Sequence, residues 1–280
     1  MFLQLFSIYK RLFTIIQYIK LTMINIKSIE NVTNREIGFF VSKLSEDDYL
    51  LLKNLIECHF EDLLKKNNLD TKKITTNNYS STSNPEKHAE LFEKRNRILS
   101  KKYYKKFFNE SALIKNLKNL FKDIQITDEE NFGYGNIYWR LVRPHPLKDV
   151  GPFHKDKWGW DMSTYKIDEN KFQRCKIWIS IIGDDSRLGF KFLPNSVNSN
   201  FEFKTKKHSK SSSFSFKNLS IDENSLPTNE VVSLKGEKGT FIMFHDELLH
   251  AGEVLFNDFA RLSIEFTFLI PLNKNLTSTP

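Results

Sequence analysis

The chain has 280 residues, of which 40% are hydrophobic and 14% aromatic, and it includes 25 phenylalanines. This aromatic content excludes a disordered chain, and the length is enough for one large core with helical additions. The formal net charge of +8 permits an anionic partner without identifying one. Because lysines are spread along the whole chain, we expect a solvated basic surface and neither nucleic acid nor a membrane as partner.

The two cysteines, Cys58 and Cys175, form no CxxC motif. Their number and spacing predict neither a disulfide framework nor a zinc site. We therefore expect a cytoplasmic protein in a reducing compartment. The sequence carries no signal for an oligomeric state.

Residues 1–22 form an apolar run that is broken by Lys10, Arg11 and Lys20. A transmembrane helix needs about 20 mostly uncharged residues, and the run lacks the small-residue cleavage site of a signal peptide. We interpret it as a tail or as a mis-assigned start, with Met23 as the true first residue. A helix lying in the membrane interface is the open alternative. We expect residues 23–280 to form a single domain.

The first half of that domain, residues 41–127, is predicted to be mainly helical. Ser45 precedes three acidic residues and an apolar pattern at helical spacing, which is typical of a capped helix start. Residues 68–86 are rich in Asn, Thr and Ser and predict a loop. Two further helices are expected here, at 86–102 and 111–122, and a short strand is expected before this part, at 24–29.

After Asp128 the pattern changes to short runs with period two, separated by Gly, Pro, Asn and Asp. Such spacing indicates an all-β barrel or sandwich. We therefore predict an α+β, mainly β protein, with a double-stranded β-helix (a cupin-like jelly roll) over 131–272 and the helices packed on it. Residues 204–228 predict a polar insertion, either a solvated loop or a lid over a substrate entrance.

One histidine, His154, is followed two positions later by Asp156. Side chains two apart on extended backbone project to the same side, so both can reach one metal ion. This HxD pattern occurs often by chance. On its own it is weak evidence for a metal site.

A more informative string lies near the C-terminus, where His250 follows a strand and a turn. Arg261 comes eleven residues later and opens a strand whose polar face also carries Ser263, Glu265 and Thr267. That face either meets solvent or lines the cavity of a ligand-holding barrel.

HKD at 154–156, the distal His250 and RLS at 261–263 resemble the motifs of the Fe(II)/2-oxoglutarate-dependent dioxygenase superfamily. The strings KIWISIIGDDSRLGFKFLPNSV and FHDELLHAGEVLFNDFARLSIEF are similar to its phytanoyl-CoA dioxygenase-like branch. The likeness runs from about Tyr138 to Ile270. One departure is Asn195, where that branch often has glycine, but asparagine tolerates the left-handed conformation that such a turn needs.

The resemblance implies that His154, Asp156 and His250 hold Fe(II), while 2-oxoglutarate and dioxygen take the remaining positions. It further implies that Arg261 binds the far carboxylate of 2-oxoglutarate, helped by Ser263, and that succinate and CO2 are released. Related halogenases have a small residue in place of the carboxylate ligand, so Asp156 favours hydroxylation.

Other site residues are open at this point. His245 is a rival third ligand. Lys176 either contacts the cosubstrate carboxylate or lies on the surface, and the tryptophans after the HxD motif either roof a substrate or pack. Arg140 and Arg143 lie three apart, so both cannot face one cavity from a regular strand. The candidates for the substrate pocket are Trp158, Trp160, Arg140 and Trp178.

The leading hypothesis is a dioxygenase that hydroxylates a small molecule. A non-catalytic, cupin-like metal or small-molecule binding protein is the first alternative, and it would not need a cosubstrate clamp at Arg261. A protein or nucleic-acid hydroxylase on the same fold is the second alternative.

Overall fold

The computed structural model describes residues 24–79, 88, 90–121, 124–144, 149–183, 187–207, 217–222, 224, 226–227, 229–254 and 260–272. The predicted tail at 1–22 lies outside this part of the chain, as do segments of the predicted 68–86 loop and of the 204–228 insertion. Within the described residues, no helix combines the length and the apolar character needed to cross a bilayer.

Helices dominate up to residue 120, and strands dominate beyond it. The labelled helices are α1 (Ile26–Thr33), α2 (Glu46–Lys66), α3 (Lys101–Glu110), α4 (Ala112–Leu120) and α5 (Asp156–Met162), with a 3-10 turn at Lys94–Arg97. The strands are β1 (Phe39–Lys43), β2 (Gln125–Ile126), β3 (Ile137–Val142), β4 (Phe172–Ile182), β5 (Phe190–Phe192), β6 (Lys204–Lys207), β7 (Lys217–Ser220), β8 (Val232–Ser233), β9 (Thr240–His245), β10 (His250–Gly252) and β11 (Arg261–Pro271).

These strands form two larger antiparallel sheets. The first has six strands in the order β1-β9-β4-β11-β2, with β3 also paired to β11. The second has the order β10-β5-β8, and β6 pairs with β7 inside the predicted insertion. In the first sheet Glu265 of β11 lies between Trp178 of β4 and Tyr138 of β3, which sets the register of the inward-facing side chains.

The alternation along β11 separates two environments. Its apolar side chains, such as Ile264 and Phe266, are fully buried in the same core cluster as Leu52 and Ile56 of α2. The inner face of this sheet packs on the second sheet through a separate cluster that includes Trp178, Phe244, Phe190 and Phe192. The protein is therefore layered as helices, sheet and sheet, and the polar face of β11 points between the sheets.

The helix predicted from the Ser45 N-cap is confirmed, because the Ser45 side chain accepts a hydrogen bond from the Asp48 amide at the start of α2. The strand predicted at 24–29 is wrong. This segment enters α1, where Asn25 and Ser28 form a reciprocal capping box. Local capping by two polar side chains outweighed the β-branched isoleucines.

The continuous helix predicted at 86–102 is also wrong. The 3-10 turn ends at Arg97, Ile98 then forms a β-bridge with Tyr138, and α3 begins only at Lys101. The helix predicted at 111–122 is present as α4. In the second half, the short runs with period two after Asp128 contain strands, among them β3, β4, β9 and β11, as expected, whereas the sequence did not predict β1.

Candidate metal centre

Two histidines from distant parts of the chain meet through their backbones. The His154 amide donates to the His250 carbonyl at 2.9 Å, and the His250 amide donates back to the His154 carbonyl at 3.0 Å. The two residues thus form an isolated antiparallel bridge, which brings their ring centroids to 4.4 Å. The backbone bridge therefore places the two imidazoles next to each other.

Asp156 joins them from the first residue of α5. Its Oδ1 lies 3.7 Å from His154 Nε2, and its Oδ2 lies 3.8 Å from His250 Nε2. One donor atom from each of the three side chains falls within 4.8 Å of the others. Oδ2 is buried and has no hydrogen-bond partner among the described residues. A carboxylate that faces two imidazole nitrogens and has an orphaned oxygen fits a metal ion.

The outer nitrogens of both rings are already engaged. His154 Nδ1 lies 2.8 Å from the Pro152 carbonyl oxygen, and His250 Nδ1 lies 2.9 Å from that of Leu248. A carbonyl accepts but cannot donate, so each Nδ1 carries the proton and each Nε2 keeps a lone pair facing Asp156. This is the tautomer that metal binding through Nε2 requires.

Electrostatics favour the same protonation states. Burial, together with the neighbouring His154, lowers the pKa of His250 to about 4, so its ring is neutral at pH 7. Burial by itself would raise the pKa of Asp156, but the Lys176 ammonium and the two imidazoles bring it below its ordinary value. Near neutral pH His250 is therefore a neutral imidazole and Asp156 a carboxylate.

The middle residue of the HxD motif has a separate role. The Lys155 side chain is buried, and its ammonium donates to the carbonyl oxygens of Ser196, Val197 and Ser199 at 2.8, 3.2 and 2.8 Å. It therefore ties the ligand segment to the turn that follows Pro194. In this turn Asn195 has a φ of 60°, the left-handed conformation expected of it.

Arg261, the predicted cosubstrate anchor, is buried at the start of β11. Its Nη1 donates to the Gly189 carbonyl, while its Nε has no partner among the described residues. Of the nearby carboxylates, Glu265 pairs with Arg140, and Glu253 pairs through Oε1 with Arg187 and Ser233, while Glu253 Oε2 has no described hydrogen-bond partner. Neither carboxylate forms an ion pair with Arg261 in the described part of the chain. Burial, assisted by Arg140, lowers the pKa of Arg261 to about 10, so it stays charged at neutral pH.

Two hydroxyls accompany this guanidinium on the inner face of the sheet. Ser263 of β11 pairs in register with Ser180 of β4, and the Oγ atoms of both are buried without a described hydrogen-bond partner. A buried cation and two unused hydroxyls suit an anionic ligand, and the planar guanidinium suits a carboxylate.

Lys176 lies away from this anchor. Its Nζ is 3.3 Å from Asp156 Oδ1, and its register partner on β11 is Thr267, six residues beyond Arg261. The structure thus places Lys176 beside the candidate metal ligands.

The three tryptophans among the candidate pocket residues have different environments. Trp158 stacks on Phe203 at 4.6 Å, and Trp160 lies against the Arg174 guanidinium, at 4.7 Å from the ring centroid. Trp178 packs in the inter-sheet cluster, with Arg261 over its ring.

Arg140 in β3 and Arg143 just after β3 have different partners, as expected from their spacing of three residues. Arg140 binds Glu265 through Nε and Nη2, at 3.1 and 2.8 Å, between the sheets. Arg143 instead pairs with Asp149.

A second group of potential ligands consists of His245, Asp246 and Glu247. His245 Nδ1 accepts from the Glu247 amide, Asp246 Oδ1 accepts from Gln173, and Glu247 is bound bidentately by Arg35. Because these donor atoms already have protein partners, this group is the weaker candidate for a metal.

The comparisons with known proteins rest on structure. No family model and no curated protein matches the chain. EvdO2 from Micromonospora carbonacea var. aurantiaca, complexed with 2-oxoglutarate, is 14% identical with a TM-score of 0.55, over 93% of this chain and 96% of that one. The chain has the fold of this protein.

Two further structures agree. EctD from S. alaskensis, with 2-oxoglutarate and 5-hydroxyectoine, is 14% identical with a TM-score of 0.50, over 90% of this chain and 79% of that one. The non-heme monooxygenase ThoJ is 12% identical with a TM-score of 0.50, over 86% and 78%. At these identities the likeness establishes the fold, and any function must be argued from the site.

Several residues around the site were not anticipated from the sequence. Lys155 could have been noticed as a lysine enclosed between two candidate ligands, and Glu265 stood on the polar face of β11. Glu129 and Arg97, which also reach this region, carried no sequence signal, because they come from irregular segments far from either motif.

Proposed function

We propose that this protein is an Fe(II)- and 2-oxoglutarate-dependent dioxygenase that hydroxylates a small molecule on a double-stranded β-helix. In this reaction a substrate C–H, 2-oxoglutarate and O2 give a C–OH, succinate and CO2, with one oxygen atom entering each organic product. The proposal rests on the convergence of His154, Asp156 and His250. Asp156 Oδ2 has no described hydrogen-bond partner, and the Nδ1 atoms of both imidazoles face carbonyl oxygens, which leaves the Nε2 atoms for a metal.

The ligand set supports iron. Two imidazoles and one carboxylate are the facial triad of non-heme Fe(II) oxygenases, which leaves open positions for cosubstrate and dioxygen. Iron bound there would supply the activation of dioxygen. The protein's own part is to orient both Nε2 atoms toward Asp156 through the Nδ1 hydrogen bonds and to hold Asp156 ionised beside Lys176.

The cosubstrate follows from Arg261. A buried guanidinium without an ion-pair partner among the described residues is unfavourable unless a ligand supplies the anion. Ser263 and Ser180 offer unused hydroxyls on the same inner face. We assign this anchor to the carboxylate of 2-oxoglutarate that is remote from the metal. The sequence resemblance to the phytanoyl-CoA dioxygenase-like branch supports the same reading.

The test is succinate formation from 2-oxoglutarate, with Fe(II) and ascorbate, in the wild type and the variants His154→Ala and Asp156→Ala. We expect turnover to fall to background in both. The matched control is His245→Asn, whose amide oxygen can replace Nδ1 as acceptor for the Glu247 amide. Turnover that survives in Asp156→Ala, or disappears in His245→Asn while the protein remains folded, would contradict the assigned ligands.

The alternative is a non-catalytic, cupin-like binding protein, and Arg261 distinguishes the two. Calorimetric titration of 2-oxoglutarate into the Mn(II)-loaded protein should show binding that Arg261→Ala abolishes. If 2-oxoglutarate does not bind, the binding-protein alternative is preferred.

A further inference from the structure

A group of charged side chains lies between the sheets beside the candidate metal ligands. Four of these side chains form two ion pairs, Arg140 with Glu265 at 2.8 Å and Lys176 with Asp156 at 3.3 Å. The charged residues that remain come from outside β4 and β11. They are Glu129, in the turn after β2, and Arg97, at the end of the 3-10 turn.

Glu129 is a carboxylate with neutral partners. Its Oε1 accepts from the Thr127 hydroxyl at 3.0 Å, and its Oε2 lies 3.3 Å from the Tyr138 hydroxyl, which is also 3.1 Å from Glu130 Oε1. No described lysine or arginine forms an ion pair with it, although its charge is felt by Lys176 and Asp156. Burial raises the pKa of Glu129, and the Lys176 ammonium and the hydroxyls around the carboxylate offset only part of that effect.

Arg97 is the counterpart of opposite sign. Its Nε is buried and has no hydrogen-bond partner in the described part of the chain. The carboxylates that influence it, Glu265 and Glu130, are paired with Arg140 and Lys94. Burial, followed by repulsion from Arg140, lowers the pKa of Arg97 to about 10, so it remains a cation at neutral pH.

The two unpaired charges belong to one region. Ile98, the residue after Arg97, forms a β-bridge with Tyr138, whose hydroxyl binds Glu129. The same ion pair, Arg140 with Glu265, lies next to both the metal ligands and Arg97. A ligand held between Arg97 and Glu129 would therefore lie against Tyr138 and close to the proposed iron.

We propose that the substrate is a small zwitterion carrying one ammonium and one carboxylate, with the ammonium on Glu129 and the carboxylate on Arg97. This assignment rests on the proposed dioxygenase function and specifies its substrate class. Both residues are partly exposed, and a ligand that displaces water from a charge is bound stably when it pairs that charge. A purely anionic substrate would leave Glu129 unpaired, and a purely cationic one would leave Arg97 unpaired.

The binding test uses protein loaded with Mn(II) and 2-oxoglutarate. The probes are the twenty standard amino acids and the ω-amino acids β-alanine and γ-aminobutyrate, read out as a rise in the midpoint of thermal unfolding. For a responding probe we expect its carboxamide, which keeps only the ammonium, and its N-acetyl derivative, which keeps only the carboxylate, to bind at least tenfold more weakly. No response from any zwitterion, or equal binding of a singly charged analogue, would overturn the proposal.

Two variants assign the ends. Glu129→Gln should remove the preference for the free amine over the N-acetyl form, and Arg97→Met should remove the preference for the carboxylate over the carboxamide. Both should keep the affinity of the Mn(II)-loaded protein for 2-oxoglutarate. Preferences that persist in both variants would refute the assigned contacts. If the wild type itself does not bind 2-oxoglutarate, the result would instead refute the proposed function.

A ligand-free measurement removes the dependence on the choice of probe. If Glu129 and Arg97 are kept unpaired for a substrate, Glu129→Gln and Arg97→Met should unfold at the same temperature as the wild type or higher. The comparison variant is Glu265→Gln, which leaves Arg140 without its partner and should unfold at a lower temperature. Midpoints of Glu129→Gln and Arg97→Met that fall as far as that of Glu265→Gln would mean that these charges are structural, and the proposal would fail.

Discussion

Gly189 and Arg261 fit together because Gly189 has no side chain. A Cβ at Gly189 would lie 2.7 Å from Nη1 and 2.9 Å from Nε of Arg261, and φ at this glycine is +86°. The absence of a side chain at Gly189 therefore leaves room for the guanidinium, and the Gly189 carbonyl accepts a hydrogen bond from Nη1.

Gly189→Ala should consequently displace Arg261 and weaken 2-oxoglutarate binding. We expect the dissociation constant, measured by calorimetry on the Mn(II)-loaded protein, to rise at least tenfold, about 1.4 kcal/mol. Gly133→Ala is the matched control, since Gly133 also has a positive φ, +76°, but a Cβ there meets no atom within 4 Å. Equal affinity losses in both variants would show that backbone strain, not the clash with Arg261, is responsible.

Much of this arrangement could be read from the sequence, since the alternation along β11 predicts which side chains share a face. The same pattern predicts that Arg261 and Ser263 share the polar face, and in the structure this face points into the space between the two sheets. The surroundings of Arg261 could not be read, because Gly189 and Ser180 reach it only through the pairing of strands far apart in the chain.

The HxD motif shows the same limit. Its spacing predicts that His154 and Asp156 reach one ion, but in the structure the extended backbone ends at Lys155 and Asp156 already opens α5. His250 joins the site through a backbone bridge between His154 and the first residue of β10, and no local pattern encodes that contact. The mispredicted strand at 24–29 differs in kind, since there the capping pair of Asn25 and Ser28 was present in the sequence.

Lys155 should contribute to stability through the three carbonyls that it binds. Lys155→Met leaves these buried acceptors without their donor, and each such loss costs about 1–3 kcal/mol before water or rearrangement compensates. We expect the midpoint of thermal unfolding to fall by several degrees, and Mn(II) to bind more weakly because the ligand segment is no longer tied to the turn after Pro194.

The control lies two residues further on. Lys157 pairs with Asp161 at 2.8 Å and Glu169 at 3.3 Å on the surface of α5, so Lys157→Met should cost at most about 1 kcal/mol. If Lys157→Met destabilises the protein as much as Lys155→Met, burial of the Lys155 ammonium does not explain its effect.

His88 should make stability depend on pH. Its ring is mostly buried, stacks on Phe92 at 4.7 Å, and lies with Nε2 at 3.4 Å from Asp149 Oδ2. Burial lowers the pKa of His88 to about 4 from 6.5; Asp149 acts in the opposite direction, and Arg143 is the next cause that lowers it. Since the folded pKa lies below the unfolded one, the unfolded chain binds a proton between pH 6.5 and 4 that the folded chain does not.

The contribution of His88 is therefore complete above pH 6.5 and is lost as the pH falls toward 4, by about 3 kcal/mol at most. Urea unfolding of the metal-free protein at pH 7.5, 6.5, 5.5 and 4.5 should show stability falling with pH, and His88→Gln should make the decline shallower. His250, with a pKa also lowered to about 4, adds a decline of the same sign that remains in the variant. An identical pH dependence in wild type and His88→Gln would mean that the pKa of His88 is the same in the folded and the unfolded chain, and a steeper decline in the variant would mean that the ion pair with Asp149 raises it.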